Sequence, residues 1–297
     1  MRIWAMRSTL HMVAAEDATW LVGFLGSRLL AAGSRRRLEL GLDEELCERG
    51  LQAITAVLAA KGPLTRAELV RQVRAKGIVV DPKTQAPAHL IAFAAMRGVV
   101  CRGPDIEGDE PTYVLTRDWL HVRDSLGPDQ SLAELAHRYL AAYGPAGPDD
   151  FASWSGITLG QCRRGFELIA REIREVDVGG RRQWVLGSTR GISDGDPLSV
   201  RLLGRFDAYL LGYRSRDFAL APQFAKRIQA GGGIIRAALL VDGRVRGTWR
   251  QERLSDGVRV VVEPFEPFGR NVLPRLQDEV DDVGRFLGTP AKLVVSD

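Results

Sequence analysis

The sequence predicts an α+β fold with tandem winged helix-turn-helix units followed by a small α+β C-terminal domain. The first observation is an order of elements that occurs twice. In each copy a helix ends at a Gly-Pro pair (62–63 and 144–145), and two more helices and a β-hairpin follow. The second observation is a change after residue 198, where strands and helices alternate. A chain of 297 residues is long enough for two or three domains with separate cores.

The chain begins with an alternating pattern. Residues 6–13 predict a strand, because the polar side chains of Arg7, Thr9 and His11 fall on one face at period two. A helix is predicted over 14–32, with acidic residues in its first turn.

Winged-helix segment A follows. A helix over 43–60 ends at Gly62-Pro63, and Thr65 with Glu68 forms a capping box that begins the next helix. The remaining predicted elements of this segment are a helix over 87–97 and strands over 99–102 and 112–116.

Winged-helix segment B repeats this order. An amphipathic helix over 131–143 ends at Gly144-Pro145, a short helix begins at Pro148, and Thr158 caps a third helix that runs to about Arg171. Strands over 173–178 and 181–186 flank Gly179-Gly180, a strong hairpin signal.

Residues 187–197 are rich in Gly, Ser and Asp and predict a linker. Beyond it, Asp242-Gly243 predicts a tight turn between two strands. The predicted C-terminal elements are strands near 199–203, 236–241, 244–249 and 258–263 and helices near 222–229 and 270–287. The predicted segments are a strand with a connecting helix (1–41), segment A (42–130), segment B (131–190) and the C-terminal domain (198–297).

The charge distribution favours an anionic partner. The formal net charge is only +4, but residues 1–41 hold six basic and three acidic residues, and residues 158–250 hold 17 basic and nine acidic residues. Such segregation is typical of a one-sided nucleic-acid surface. The alternative is codon bias in a GC-rich genome, because nearly all the basic residues are arginine.

Several classes of protein are disfavoured. No apolar run approaches the roughly 18–20 residues of a membrane helix, and the start lacks the apolar core of a signal peptide. We therefore expect a cytoplasmic protein without a membrane partner. The cysteines and histidines have no metal-ligand spacing, and no Gly-rich phosphate loop is present, so neither a metal nor a cofactor is expected.

Segment B carries the main DNA-binding prediction. In a winged helix-turn-helix the third helix enters the major groove, and the wing meets the backbone. The outward side chains of that helix would be Gln161 and Arg164, with Arg163 at the border of the buried stripe, and Arg181 and Arg182 follow the wing turn. Arginine binds guanine edges or phosphates and glutamine can bind adenine. The alternative is ordinary surface arginine. In segment A the corresponding loop (105–110) is acidic, which predicts a structural role.

Two further groups are candidates. The stripe of Arg7, Thr9 and His11 could contact phosphate, and His11 is a weak candidate for positioning a water; its alternative is a hydrogen-bonded strand residue. Arg214, Arg244 and Arg246 lie near aromatic residues, a combination that suits phosphate and base binding. For the aromatic residues Tyr209, Tyr213 and Trp249, the alternative is a place in the core.

The sequence resembles the AlkZ-like winged-helix family of DNA-binding proteins and DNA glycosylases. The stretches that carry the resemblance are Arg7-Ser8-Thr9-Leu10-His11-Met12-Val13 with Ala15-Glu16-Asp17, Trp154-Ser155-Gly156, Phe206-Asp207-Ala208-Tyr209-Leu210-Leu211-Gly212-Tyr213-Arg214, and Val241-Asp242-Gly243-Arg244-Val245-Arg246-Gly247-Thr248-Trp249-Arg250. The resemblance implies tandem winged helices, a β-rich C-terminal part, double-stranded DNA as partner, and excision of alkylated bases with unhooking of crosslinks. It also implies a catalytic Gln-x-Gln or Gln-x-Asp motif upstream of the Thr-Leu-His strand.

The sequence departs from the family at that motif, because neither form occurs in the 297 residues. We expect residues 1–41 to retain only the last strand of a first winged helix, with Leu10 and Met12 poorly covered. We also expect DNA binding with impaired catalysis. The alternative function is a winged-helix transcription regulator, and a third option is a degenerate paralogue with no role on DNA. A glycosylase would act as a monomer, whereas a regulator would bind as a dimer.

Overall fold

The computed structural model describes residues 1–106, 110–120, 126–190 and 198–296. Its backbone contacts divide the chain into two compact units. The first unit contains Met1–Arg138 and Ser155–Ala170, and the second contains Tyr139–Trp154 and Arg171–Asp297.

The elements in the first half of the chain are, in order, β1 (Arg2–Trp4), β2 (Leu10–Met12), α1 (Ala15–Ala32), α2 (Ser34–Glu39), α3 (Glu44–Lys61), β3 (Leu64–Thr65), α4 (Arg66–Ala75), α5 (Ala86–Met96), β4 (Val100–Ile106), β5 (Glu110–Leu115), α6 (Thr116–Trp119) and α7 (Pro128–Tyr143). The later elements are α8 (Pro148–Ser155), α9 (Leu159–Leu168), β6 (Ile173–Val178), β7 (Arg181–Leu186), β8 (Val200–Leu203), α10 (Ala208–Leu211), α11 (Ala225–Ile228), β9 (Ala238–Val241), β10 (Arg244–Leu254), β11 (Gly257–Pro264), α12 (Val272–Leu287) and β12 (Ala291–Val295).

The mixed α+β class is confirmed, while the tandem winged-helix arrangement stays a prediction. In the first unit a three-stranded antiparallel sheet in the order β3-β5-β4 packs with α3, α4 and α5. Ile54, Leu69 and Ile91 are among the fully buried side chains of this core. The predicted capping box of Thr65 and Glu68 begins α4. Residues 107–109 of the acidic loop lie outside the described residues.

The predicted strand over 6–13 is shorter than expected. Residues 6–8 form a turn, and β2 pairs antiparallel with β1, so that Trp4 lies opposite Leu10. His11 is half-buried on the inner face of the hairpin, whereas Leu10 and Met12 are 40% and 81% exposed. The poor coverage predicted for Leu10 and Met12 is therefore observed.

The elements of segment B match their predicted positions, except that α7 begins at Pro128 rather than at 131 and α9 ends at Leu168 rather than near Arg171. Gly165 lets α9 approach α7, since a Cβ atom there would lie 3.2 Å from Ala136 Cβ. The contacts place α9 in the first unit and the β6–β7 hairpin in the second.

The second unit contains a five-stranded sheet in the order β12-β11-β10-β9-β8. All neighbours are antiparallel except β11 and β12, which α12 connects. The predicted turn at Asp242-Gly243 has positive φ at both residues. The sequence did not predict α10 or β12, and the helix near 222–229 is a 3-10 turn at Pro222–Phe224 followed by α11. Part of the predicted linker, 191–197, lies outside the described residues.

Among the described residues, no helix is long and apolar enough to cross a membrane. In the same part of the chain no three His, Cys, Asp or Glu side chains come together as metal ligands.

Candidate nucleic-acid interface

The turn of the β1–β2 hairpin has a strained backbone. Arg7 (φ 56) and Ser8 (φ 60) are both left-handed, which is the geometry of a type I′ turn that Asn-Gly usually occupies. The Thr9 amide donates to the Met6 carbonyl over 3.3 Å and closes the turn. Non-glycine residues in this region cost on the order of 1–3 kcal/mol each and cluster at functional sites. The turn is therefore a candidate for a functional role.

Thr9 and His11 form a small hydrogen-bonded group beside this turn. His11 Nε2 lies 2.8 Å from Thr9 Oγ1 and 3.2 Å from the Met6 carbonyl, and Thr9 Oγ1 lies 3.0 Å from that same carbonyl. Because the carbonyl can only accept, the assignment that satisfies all three atoms puts the ring proton on Nε2 and the hydroxyl proton toward Met6. In the neutral ring Nδ1 is then an acceptor.

Burial of the ring lowers the pKa of His11 below its ordinary value, and the nearby Arg7 charge lowers it further, although the hydrogen bond to Met6 opposes these effects. Near pH 7 the imidazole is therefore neutral. It can accept a proton or a hydrogen bond, but it cannot supply a fixed positive charge to a phosphate.

The hairpin turn packs on the loop that leads into α9. Gly156 has φ +77, and a Cβ atom there would lie 3.0 Å from Arg7 Cγ. The Gly156 carbonyl accepts from Arg28 Nε over 2.8 Å. The structure thus brings together the Arg7–Thr9 turn, α1 and the residues before Thr158, the N-cap of α9. The sequence did not point to Arg28 as part of this group. The only available signal was that Arg28 is the single basic residue of α1.

The three candidates on α9 differ in their availability. Gln161 Oε1 accepts from the Thr158 amide (3.2 Å) and hydroxyl (3.0 Å), so this side chain caps its own helix. Arg164 pairs with Asp129 at 3.0 Å and with Glu167 at 3.7 Å. Arg163 is exposed and has no ion pair in the described part of the chain. Arg163 is therefore the α9 cation most readily available to a phosphate.

The two wing candidates, Arg181 and Arg182 in the second unit, also differ in whether an ion pair engages them. Arg182 pairs with Glu175 across β6 and β7 at 2.8 Å. Arg181 is exposed, without an ion pair to any described carboxylate, and lines a cleft of about 700 Å³ with Arg214.

The C-terminal candidates are already engaged. The Arg214 amide donates to Asp150 over 3.0 Å, and its guanidinium lies 3.6 Å from Asp149. Arg244 donates to the Asp217 carbonyl over 3.4 Å, and Arg246 pairs with Glu266 at 3.7 Å.

The aromatic side chains near these arginines have structural partners. The hydroxyl groups of Tyr209 and Tyr213 donate to the carbonyls of Gly243 (2.9 Å) and Tyr143 (2.7 Å). Trp249 Nε1 donates to the Leu203 carbonyl over 2.7 Å. These contacts favour the core alternative for all three rings.

Comparisons with known proteins agree over nearly the whole chain. The sequence profile of the family described as DNA glycosylase AlkZ-like matches residues 1–286. An interstrand DNA cross-link repair glycosylase from Streptomyces sahachiroi is 30% identical over 314 aligned residues, which cover 99% of this chain and 81% of the relative. The solved structure of Streptomyces sahachiroi DNA glycosylase AlkZ aligns with a TM-score of 0.78 at 26% identity, with coverage of 99% of this chain and 81% of that one.

Proposed function

Because this chain belongs to the AlkZ-like DNA glycosylase family, whose profile matches residues 1–286, we propose that it is a DNA-repair protein that binds double-stranded DNA. The relative of known activity acts on interstrand crosslinks, and we propose alkylated or crosslinked duplex as the ligand class. Such a role places the protein in the cytoplasm, as a monomer on one lesion.

One observation carries this proposal: the contact between Arg7 and Gly156. It joins two stretches of the family resemblance that are far apart in sequence, and it sets the strained hairpin turn beside the N-cap of α9. The N-terminus of α9 with the nearby cation Arg163, which is exposed and has no ion pair to a described carboxylate, suits a phosphate oxygen. In the second unit, Arg181 after the wing turn offers another exposed cation that lacks an ion pair among the described residues.

We further propose that base release is impaired in this polypeptide. Hydrolysis of the glycosidic bond requires a water whose oxygen attacks C1′ while the base leaves and the water loses a proton. His11 could accept that proton at Nδ1, but general-base help is worth about 10²–10⁴-fold. This is small beside the accelerations of 10⁶-fold or more that are typical of enzymes. No Gln-x-Gln or Gln-x-Asp motif is present to orient the water.

The test is duplex binding measured by fluorescence anisotropy over a range of salt concentrations, combined with sedimentation of the complex. We expect binding that weakens steeply with salt, and one protein per duplex. Two proteins on sites about one helical turn apart would instead favour the regulator alternative. Absence of duplex binding at low salt would contradict both functions.

A further inference from the structure

A further cleft lies in the second unit, and of the candidates discussed above only Trp249 lines it. It has a volume of about 830 Å³ and lies between the end of β8, the segment around Ala230 and Ile234, and the middle of β10. The charged and aromatic residues of its wall are Arg205, Arg236, Arg250, Trp249 and Glu263.

Two of these arginines, Arg205 and Arg236, line the same cleft. The β8–β9 pairing ends at Leu203 and Ala238, and beyond it the Phe206 amide donates to the Ile235 carbonyl over 3.3 Å. Arg205 and Arg236 are the residues next to this bonded pair. Two like charges in one cleft repel each other.

No described carboxylate compensates these two charges. Glu263, the acidic residue of the wall, is bonded to Arg250, and neither Arg205 nor Arg236 has an ion pair among the residues that the structure describes. Both side chains are exposed. A pair of cations held together without a counter-charge is suited to bind an anion such as a phosphate, to which guanidinium groups can donate two hydrogen bonds.

Phe206, adjacent to Arg205, has a backbone and an exposure unusual for an aromatic residue. It has φ 59, a genuine outlier for a bulky side chain, and it is 49% exposed. The Arg205 guanidinium lies 6.0 Å from the ring centroid. The next residue, Asp207, is fixed because its carboxylate accepts from the Tyr209 amide over 2.9 Å and caps α10. Strain of this kind is retained where the surroundings impose it and is often functional.

We propose that Arg205 and Arg236 of this cleft bind the phosphate of one unpaired nucleotide of a DNA strand, and that its base stacks on the exposed ring of Phe206, the residue next to Arg205. The proposal rests on the proposed function, because it takes DNA as the ligand. Base stacking on an aromatic ring combined with a cationic groove is the general mode of single-strand binding, and the cleft is of a size that holds a small ligand. Trp249 is not the stacking residue, since it is half-buried and packs against the core of the sheet, whereas the Phe206 ring is exposed.

The experiment compares two fluorescent probes, a short single-stranded oligonucleotide and the fully paired duplex of the same sequence. The variants are Arg205→Ala, Arg236→Ala, Phe206→Leu and Phe206→Tyr. The control is Arg285→Ala, which removes an exposed charge, paired with Asp282, from α12 of the same unit, outside the cleft. Thermal unfolding checks the fold, and loss of either cleft arginine should not lower Tm because the two cations repel each other.

We expect Arg205→Ala and Arg236→Ala to reduce the salt slope of single-strand binding by about 0.7 each, with duplex affinity no lower than that of Arg285→Ala. Phe206→Leu should weaken single-strand binding about 5- to 100-fold, the range of one base stack, and Phe206→Tyr should restore it. If the cleft variants match Arg285→Ala on both probes while the wild type binds duplex, the cleft proposal fails and the proposed function stands. If the wild type binds neither probe, both fail.

Discussion

Arg7 Cγ lies 3.0 Å from the position that a Cβ atom on Gly156 would occupy. At this distance the Arg7 side chain would have to move to make room for a methyl group on residue 156. The backbone of an alanine at φ +77 would also be strained. Gly156→Ala should therefore lower the free energy of unfolding by about 1–2 kcal/mol. Denaturant titration measures this change in the free energy of unfolding. Gly160→Ala is the control, because Gly160 lies in α9 with no atom within 4 Å of its Cβ position, and alanine should stabilise that helix by about 0.5–1 kcal/mol. Equal effects of the two substitutions would contradict this account of the contact.

The arginines of α9 and the wing should not contribute equally to duplex binding. Arg163→Ala with Arg181→Ala should lower affinity and reduce the salt slope by about 0.9 for each phosphate that the variant no longer neutralises. Arg164→Ala with Arg182→Ala makes the same change in charge, but these side chains pair with Asp129 and Glu175. We expect a smaller loss for that pair in anisotropy titrations. An unchanged slope in the variant that lacks all four arginines would place the DNA surface elsewhere.

Arg138 pairs with both Asp17 and Glu134, and the pair with Asp17 should contribute more to stability. Asp17 is buried in α1, accepts from Trp20 Nε1 over 3.1 Å and is bonded to Arg138 of α7. Asp17→Asn leaves the geometry but removes the charge, and should lower the free energy of unfolding by about 1.5–3 kcal/mol. Glu134→Ala removes the other partner of Arg138, an exposed i,i+4 contact at 2.6 Å, and should lower it by about 0.3–0.5 kcal/mol. Denaturant titrations that rank the two substitutions the other way round would be evidence against this assignment.

Stability should decrease as the pH falls because of His11. The folded-state pKa of His11 lies below its ordinary value near 6.5, so the unfolded chain binds more protons in the interval between the two. The stabilisation is fully present above about pH 7 and is lost as the pH falls through the folded-state pKa. Tm measured from pH 7.5 to pH 5 should fall less steeply for His11→Gln than for the wild type. His89, whose pKa burial also lowers, contributes a similar slope that His11→Gln retains and His89→Gln removes. Parallel Tm curves for wild type and His11→Gln would show that His11 does not titrate in this way.

Base release should be absent. With the polypeptide in excess over duplex that contains an N7-alkylated purine, we expect binding but no free base in a single-turnover assay, because His11 could supply only general-base help and no Gln-x-Gln or Gln-x-Asp motif is present to orient the water. A matched reaction with His11→Ala separates the outcomes. Release by the wild type that disappears in His11→Ala would overturn the prediction and assign the chemistry to His11.

Local features could be predicted from the sequence because their causes are local. The caps at Thr65 and Thr158 and the glycine turn at 179–180 depend on residues at most three positions apart, and all are observed. The capping role of Gln161 was not predicted, since the same residue type serves a capping box and an adenine edge; its binding to DNA stays a prediction. The pairing of Arg164 with Asp129 joins residues 35 positions apart, and no local pattern signals it.

Strand pairing could not be predicted from the sequence. Arg205 and Arg236 come to one cleft because β8 pairs with β9, and no periodicity within either strand contains that information. The sequence also could not show which face of β2 is buried. Alternation separates His11 from Leu10 and Met12, but which face is covered depends on the elements packed against it. Here the polar His11 side is the more buried one.

The first compact unit is discontinuous in sequence, and the chain passes between units after residues 138, 154 and 170. No single backbone cut can therefore separate the two units into independent fragments. During synthesis, residues 1–138 emerge without α9 and must wait for 155–170 before the first unit is complete. By then Tyr139–Trp154 has already left the ribosome without the rest of the second unit. Limited proteolysis should consequently yield fragments that stay associated, and dissection into separately expressed halves should fail at any one boundary.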